Sequence, residues 1–203
     1  MKSDAVALGI AGVLFGLIAG WIIGSQQAVG RPPAAAPAAQ QAPASGAAGT
    51  SRAAVLDETQ VNALKTVAER EASNATPRLQ LGNLYFDAER YDDAITWYGE
   101  ALKLSPNDVN VSTDLGVSYY YSNQPDKALA QFDRSLKLDP KHAKTLLNVG
   151  IVKAFGKQDL DGAGEAWKQV IALTPDSPEG QAAKRALDSL QSAHAGVARK
   201  PGA

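Results

Sequence analysis

The sequence predicts an all-α protein in which one membrane-spanning helix is joined by a Pro/Ala-rich linker to an array of about three helical hairpins. Three observations carry this reading. Nineteen residues from Ala5 to Ile23 bear no charge, the stretch after them is almost entirely Ala, Pro, Gln, Gly and Ser, and an apolar-Gly pair returns every 34 residues at Gly82, Gly116 and Gly150. The expected segments are a tail over 1–4, a transmembrane helix over 5–24, a linker over 25–54 and a capping helix over 55–74. Hairpins follow over 75–108, 109–142 and 143–176, then a second capping helix over 177–195 and a tail over 196–203.

Composition narrows the function classes. Of the 20 Lys and Arg only Lys2, Arg31 and Arg52 precede residue 55, and of the 21 Asp and Glu only Asp4 does, leaving 17 basic against 20 acidic residues beyond. A mildly acidic body without a basic block lacks the footprint that neutralises phosphates, so nucleic acid is not an expected partner. With no cysteine there is no disulfide, thiolate metal site or cysteine nucleophile.

As a helix rising ~1.5 Å per residue, the uncharged stretch reaches about 28 Å, close to the hydrocarbon thickness of a bilayer. It exceeds the roughly 7 to 15 apolar residues of a signal peptide, so retention as an anchor is expected over cleavage. The nearest small-residue run, Ala34-Ala35-Ala36, also lies well downstream. Gly12, Gly16, Gly20 and Gly24 share one helix face and would let a second backbone approach, which makes lateral association, including homo-oligomers, an expectation. The small Lys/Arg bias around the span favours an N-terminus inside. In the linker, Pro32, Pro33, Pro37 and Pro43 block a long helix. Residues 30–50 would span about 65 Å extended or about 25 Å as a coil, a spacer with no assigned binding role.

Each of the first two periods carries companions at fixed offsets from its glycine: Tyr85 and Tyr119, Ala94 and Ala128, Tyr98 and Phe132, Pro106 and Pro140. Small residues suit a close helix crossing, aromatics fill beside it, and proline stops the second helix. In the third period Lys153 stands at the tyrosine position, and Ala163, Trp167 and Pro175 come one residue late. Gly162 and Gly164 are expected to weaken its second helix by up to ~1 kcal/mol each relative to Ala. Asp57 and Ser177-Pro178 open the two capping helices, the first carrying Val61, Leu64, Val67 and Ala68, the second Ala182, Ala183, Ala186, Leu187 and Leu190.

Over about residues 75–176 this pattern resembles the tetratricopeptide-repeat (TPR) family, whose 34-residue unit reads W-x2-L-G-x2-Y, A-x3-F and a closing Pro. The early Trp is replaced here by Arg78, Ser112 and Leu146. The resemblance implies a right-handed superhelix whose first helices line a concave, partner-binding groove, with no cofactor. On this sequence those positions are Gln80, Asn83, Phe86 and Asp87, then Thr113, Asp114, Val117, Tyr120 and Tyr121, then Lys144, Leu147, Asn148, Ile151 and Phe155. Phe86, Tyr120, Tyr121 and Phe155 are nominated as anchors for an amphipathic helix or extended peptide, with core packing as their alternative role. Of the Lys/Asn/Arg clamp by which TPR proteins grip chaperone C-termini, only Asn83 and Lys144 match, while Leu79 and Asp114 occupy other clamp positions.

The stretch from Trp167 to Pro175 with Ser177-Pro178-Glu179 is similar to the TPR subunits of bacterial cytochrome c maturation machinery. That similarity implies an array on the periplasmic side of an inner membrane, holding apocytochrome chains. A structural assembly protein, oligomerising through the glycine face, is the competing class. Enzymatic or metal chemistry is not expected. His142 and His194 lack ligand-like neighbours and fall near helix ends where a solvated imidazole is ordinary, and Asp92-Asp93 suits the first turn of a helix near Tyr91.

Overall fold

The computed structural model describes residues 55–198, with side chains through residue 192. The expected transmembrane segment 5–24 with Gly12, Gly16, Gly20 and Gly24, and the expected linker 25–54, lie outside the described residues. Among the described residues no helix is long and apolar enough to cross a membrane.

The described residues form eight α-helices, α1 (Glu58–Arg70), α2 (Thr76–Asp87), α3 (Tyr91–Leu104), α4 (Val109–Tyr121), α5 (Pro125–Leu138), α6 (Ala143–Ile151), α7 (Leu160–Leu173) and α8 (Pro178–Ala198). A π-helical turn, Val152–Gly156, extends α6. Helices α2 and α3, α4 and α5, and α6 and α7 pack as consecutive hairpins, with α1 against α2 and α8 against α7 and α6.

Each hairpin is built on the same contact. A Cβ added to Gly82 would stand 2.5 Å from Tyr98 Cδ1, and one at Gly116 or Gly150 would collide with the ring of Phe132 or Trp167. The bare backbone of the first helix is therefore the seat of an aromatic ring from the second. Tyr98, Phe132 and Trp167 are fully buried, as are Ala94, Ala128 and Ala163 a turn earlier on the same helices. Burying an aromatic side chain of this size contributes about 1.5–3 kcal/mol.

Each first helix ends with a non-glycine residue in the left-handed region, Glu89, Asn123 or Gln158. Hydrogen bonds from Arg90 N to Tyr85 O and from Gln124 N to Tyr119 O, both 2.8 Å, span five residues and close a Schellman motif. In the third hairpin the closing bond runs from Asp159 N to Lys153 O, 2.8 Å across six residues. The additional residue is absorbed in the π turn. That insertion explains why Ala163, Trp167 and Pro175 fall one position late while Trp167 still seats on Gly150.

The three departures from the family Trp have separate solutions. Arg78 reaches back over the connection between α1 and α2, donating to Asn74 O at 2.8 Å and to Ala68 O, in the last turn of α1, at 3.0 Å. Ser112 Oγ accepts from Gln131 Nε2 at 2.7 Å and Ser135 Oγ at 2.8 Å, a buried polar tie between α4 and α5. Leu146 is simply buried.

The caps follow their expected residues. Asp57 accepts from Thr59 N and Gln60 N at 3.0 and 3.1 Å, and Ser177 from Gly180 N at 3.0 Å. Val61 and Ala68 are buried and Leu64 half-buried, but Val67 is exposed, because α1 has a neighbour on one side only. Helix α8 takes the place of the first helix of a fourth hairpin. It buries Ala182, Ala183, Ala186 and Leu190 and turns Gln181, Lys184, Arg185 and Asp188 to solvent. The expected cost of Gly162 and Gly164 divides. Gly162 N donates to the N-cap carboxylate of Asp159 at 2.9 Å, leaving no clear room for a side chain, whereas a Cβ at Gly164 would find only ordinary contacts at 3.7 and 3.8 Å with Leu187 and Leu190.

Two substitutions separate the crossing glycines from the incidental one. Gly116→Ala should lower stability in urea denaturation by about 1–3 kcal/mol, the scale of overpacking against a filled core. Gly164→Ala should raise it by up to ~1 kcal/mol through helix propensity.

Candidate functional site

The hairpins place the nominated residues along the first helices α2, α4 and α6. Phe86, Thr113, Asp114, Val117, Leu147, Asn148 and Ile151 are buried, whereas Asn83, Asp87, Tyr120, Tyr121, Lys144 and Phe155 are half-buried and Gln80 is exposed. Packing between neighbouring hairpins thus accounts for much of the apolar part of the set.

The aromatic residues form a cluster where the first two hairpins meet. The Tyr91 and Tyr121 rings stack with centroids 5.1 Å apart, and Phe86 meets both edge-on at 5.4 and 5.7 Å. Tyr120 meets Tyr121 edge-on at 5.6 Å. Burial, with Glu89 adding, pushes the Tyr91 hydroxyl up to about 12 and that of Tyr121 higher still. At the next junction the position of Tyr121 falls to Gly156, where a Cβ would lie 2.9 Å from Pro125 Cβ and 3.3 Å from Tyr120 Cε2. Counted back from the left-handed residue that ends each first helix, Phe86, Tyr120 and Phe155 occupy one structural position. Their coverage differs: Phe86 is buried, whereas Tyr120 and Phe155 are half-buried.

Polar residues lie beside this row. Tyr98 Oη donates to Asn83 Oδ1 at 2.7 Å. Lys144 Nζ donates to Asp114 Oδ1 at 2.6 Å and joins α6 to α4. Burial raises the Asp114 carboxyl above its usual range and the Lys144 ammonium draws it part of the way back. Asn148 Nδ2 donates to the Lys144 carbonyl at 2.8 Å, so its amide is engaged within its own helix.

Two expectations need correcting. His142 is not a solvated imidazole: it is half-buried at the α4/α6 junction, with Nδ1 2.7 Å from Thr145 Oγ1 and Nε2 3.2 Å from Asn110 Oδ1. Thr113 Oγ1 lies 2.7 Å from Thr145 Oγ1, so one polar chain crosses from one hairpin to the next. Asp92 does more than complement a helix dipole, since it accepts a hydrogen bond from Ser122 across the first junction. Tyr91, Asn110 and Ser122 were not foreseen as site residues, and Tyr98 was foreseen for packing alone, because their partners lie about one repeat or half a repeat away, where a consensus marks only core positions. Among the described residues no three His, Cys, Asp or Glu side chains come together as a metal site.

The helical-hairpin array with this first-helix face defines the class of protein. A family model described as TPR repeat matches residues 82–122, and one described as tetratricopeptide repeat matches residues 111–142. The array is similar to several solved structures. The Sgt2 TPR domain from Aspergillus fumigatus is 26% identical, covering 64% of this chain and 85% of that one, with a TM-score of 0.56. The first TPR domain of Spaghetti (RPAP3), bound to the HSP90 peptide SRMEEVD, is 24% identical, covering 60% of this chain and 95% of that one, with a TM-score of 0.54. MamA is 19% identical, covering 69% of this chain and 90% of that one, also at 0.54. No curated protein matches the chain.

The His142 junction carries a pH dependence with a definite sign. Burial, the largest effect, lowers the imidazole below its ordinary 6.5, and nearby Lys144 adds to this against Asp139, Asp114 and Glu179. The unfolded chain therefore takes up the proton first, so the contribution is present above 6.5 and is lost as pH falls from there through the folded value. Thermal midpoints measured between about pH 7.5 and about pH 5 should decline less in His142→Gln than in the unsubstituted protein.

Proposed function

We propose that this protein is a membrane-anchored scaffold whose first-helix groove holds a peptide or amphipathic helix of a partner protein. The observation that carries the reading is the row Phe86, Tyr120 and Phe155, kept in one structural position across three hairpins by the π turn and left partly open at its second and third members. Aromatic side chains that present area at low entropic cost are effective anchors for a bound segment. The similar Spaghetti domain holds a peptide, which supports the same class of use here.

The polar groups argue for a different ligand from that acidic heptapeptide. Lys144, one of the two clamp matches, is already held by the buried Asp114, so a ligand carboxylate would meet that aspartate where a clamp would offer a cation. The uncharged stretch 5–23 supports an anchor, and the Ala/Pro-rich linker supports a domain that stands off the membrane. Holding an apocytochrome chain on the periplasmic side of a bacterial inner membrane is the specific role that the Trp167 to Pro178 similarity favours. It requires no cofactor on this chain.

A second reading rests on Gly12, Gly16, Gly20 and Gly24, which suit a structural assembly protein that oligomerises through its membrane helix. In that case Leu at Gly16 and Gly20 abolishes detergent-stable oligomers while partner binding persists.

To test the groove, the unit Ala54–Ala203 is immobilised and exposed to a detergent extract of the source cells. A defined protein retained by the unsubstituted unit and lost with Tyr120→Ala/Phe155→Ala is the expected outcome. Equal retention by both, or none by either, removes the groove reading.

A further inference from the structure

We propose that the groove selects a basic segment, with a Lys or Arg of the bound chain pairing with Asp87; this deepens the scaffold reading and rests on it. Asp87 closes α2 and is half-buried, yet among the described residues its carboxylate has neither a hydrogen bond nor an ion pair. Every other buried or half-buried aspartate among the described residues has a partner. Asp93 is bound by Arg90, Asp108 by Val111 N, Asp114 by Lys144 and Asp139 by Lys141 N. A partly desolvated carboxylate without a partner is unfavourable in the free protein, and a cation brought by a ligand removes that cost.

The surroundings sharpen the match. Asn83 lies one turn back on the same face of α2, with its Oδ1 occupied by the Tyr98 hydroxyl. Asp87 and Asp114, from adjacent hairpins, both act on that hydroxyl and add to the burial that pushes it up. Both carboxylates thus lie within electrostatic reach of that hydroxyl, and of the two Lys144 pairs with Asp114. Asp87 follows Phe86 of the aromatic cluster directly in the chain, so its charge is carried on the same turn of α2. Burial holds the Asp87 carboxyl above its ordinary range, as an unanswered charge requires. A segment alternating apolar and basic residues at helical spacing would seat its apolar side on the rings and its cation on Asp87. An acidic tail would be repelled.

The test uses the full chain in detergent and three fluorescent probes: a Leu/Lys amphipathic helical peptide, its Leu/Glu counterpart, and SRMEEVD. Anisotropy titrations compare the unsubstituted protein with Asp87→Asn and, as a control, Asp133→Asn on the exposed side of α5. The Leu/Lys peptide should bind and weaken with added salt, and Asp87→Asn should weaken it about tenfold while Asp133→Asn changes nothing. Because Asp87→Asn removes an unanswered charge, its thermal midpoint should equal or exceed that of the unsubstituted protein, which separates lost binding from lost folding. Unchanged binding in Asp87→Asn overturns the proposal. Tighter binding of SRMEEVD or the Leu/Glu peptide, lost in Tyr120→Ala/Phe155→Ala, overturns it and leaves the scaffold reading standing. No binding of any probe overturns it as well, and the retention experiment then decides the scaffold reading by itself.

Discussion

The array depends on one contact, an aromatic ring lying on bare glycine backbone. Gly82 under Tyr98, Gly116 under Phe132 and Gly150 under Trp167 bring the two helices of each hairpin close enough for Ala94, Ala128 and Ala163 to be sealed from water. A methyl group on any of these glycines would have to displace a ring that is wholly buried. Since interiors are close-packed, the ring has nowhere to go without moving the helix that carries it. The spacing of the first helices, and with it the face they present, follows from that crossing.

The third hairpin shows how strongly the contact governs. It carries one residue more than the others between Gly150 and its left-handed terminus, and the chain spends that residue in a π turn without shifting Trp167 off its glycine. The turn has a second effect: it brings Phe155 into the position held by Phe86 and Tyr120. The same insertion leaves Gly156 where the second hairpin has Tyr121, so the two junctions are sealed differently. The rings of Phe86, Tyr91 and Tyr121 meet at the first, whereas at the second the bare backbone of Gly156 lies close to Tyr120 and Pro125.

Much of this fold was legible because repetition multiplies weak signals. Leu-Gly, Ala, an aromatic and Pro at fixed offsets revealed each hairpin and its end, and Asp57 and Ser177 marked their caps. The late register of Ala163 and Trp167 was visible, but its cause was not, since nothing in Val152–Gly156 announces a π turn. The left-handed Glu89 and Gln158 were equally silent, because neither is the glycine or asparagine that usually signals that conformation. At the candidate site the residue types were foreseen and their engagements were not. Lys144 with Asp114, and His142 with Asn110, join side chains about one repeat apart, and such pairs depend on the distance between hairpins. Asp87 gained significance in the opposite way, through lacking among the described residues the partner that Asp93, Asp108, Asp114 and Asp139 each have.

In the function proposed here, the first-helix face is a site of recognition whose rigidity comes from the crossing and whose selectivity comes from what the polar residues leave unanswered. The central claim is that a partner chain lies on this face. The most direct test places a photo-crosslinking phenylalanine analogue at Tyr120 and, separately, at Leu138, an exposed leucine at the end of α5, in the source cells. A discrete adduct with one partner protein from the Tyr120 position and none from Leu138 is the result this account predicts. Adducts from Leu138 alone, or the same mixture from both positions, would contradict it.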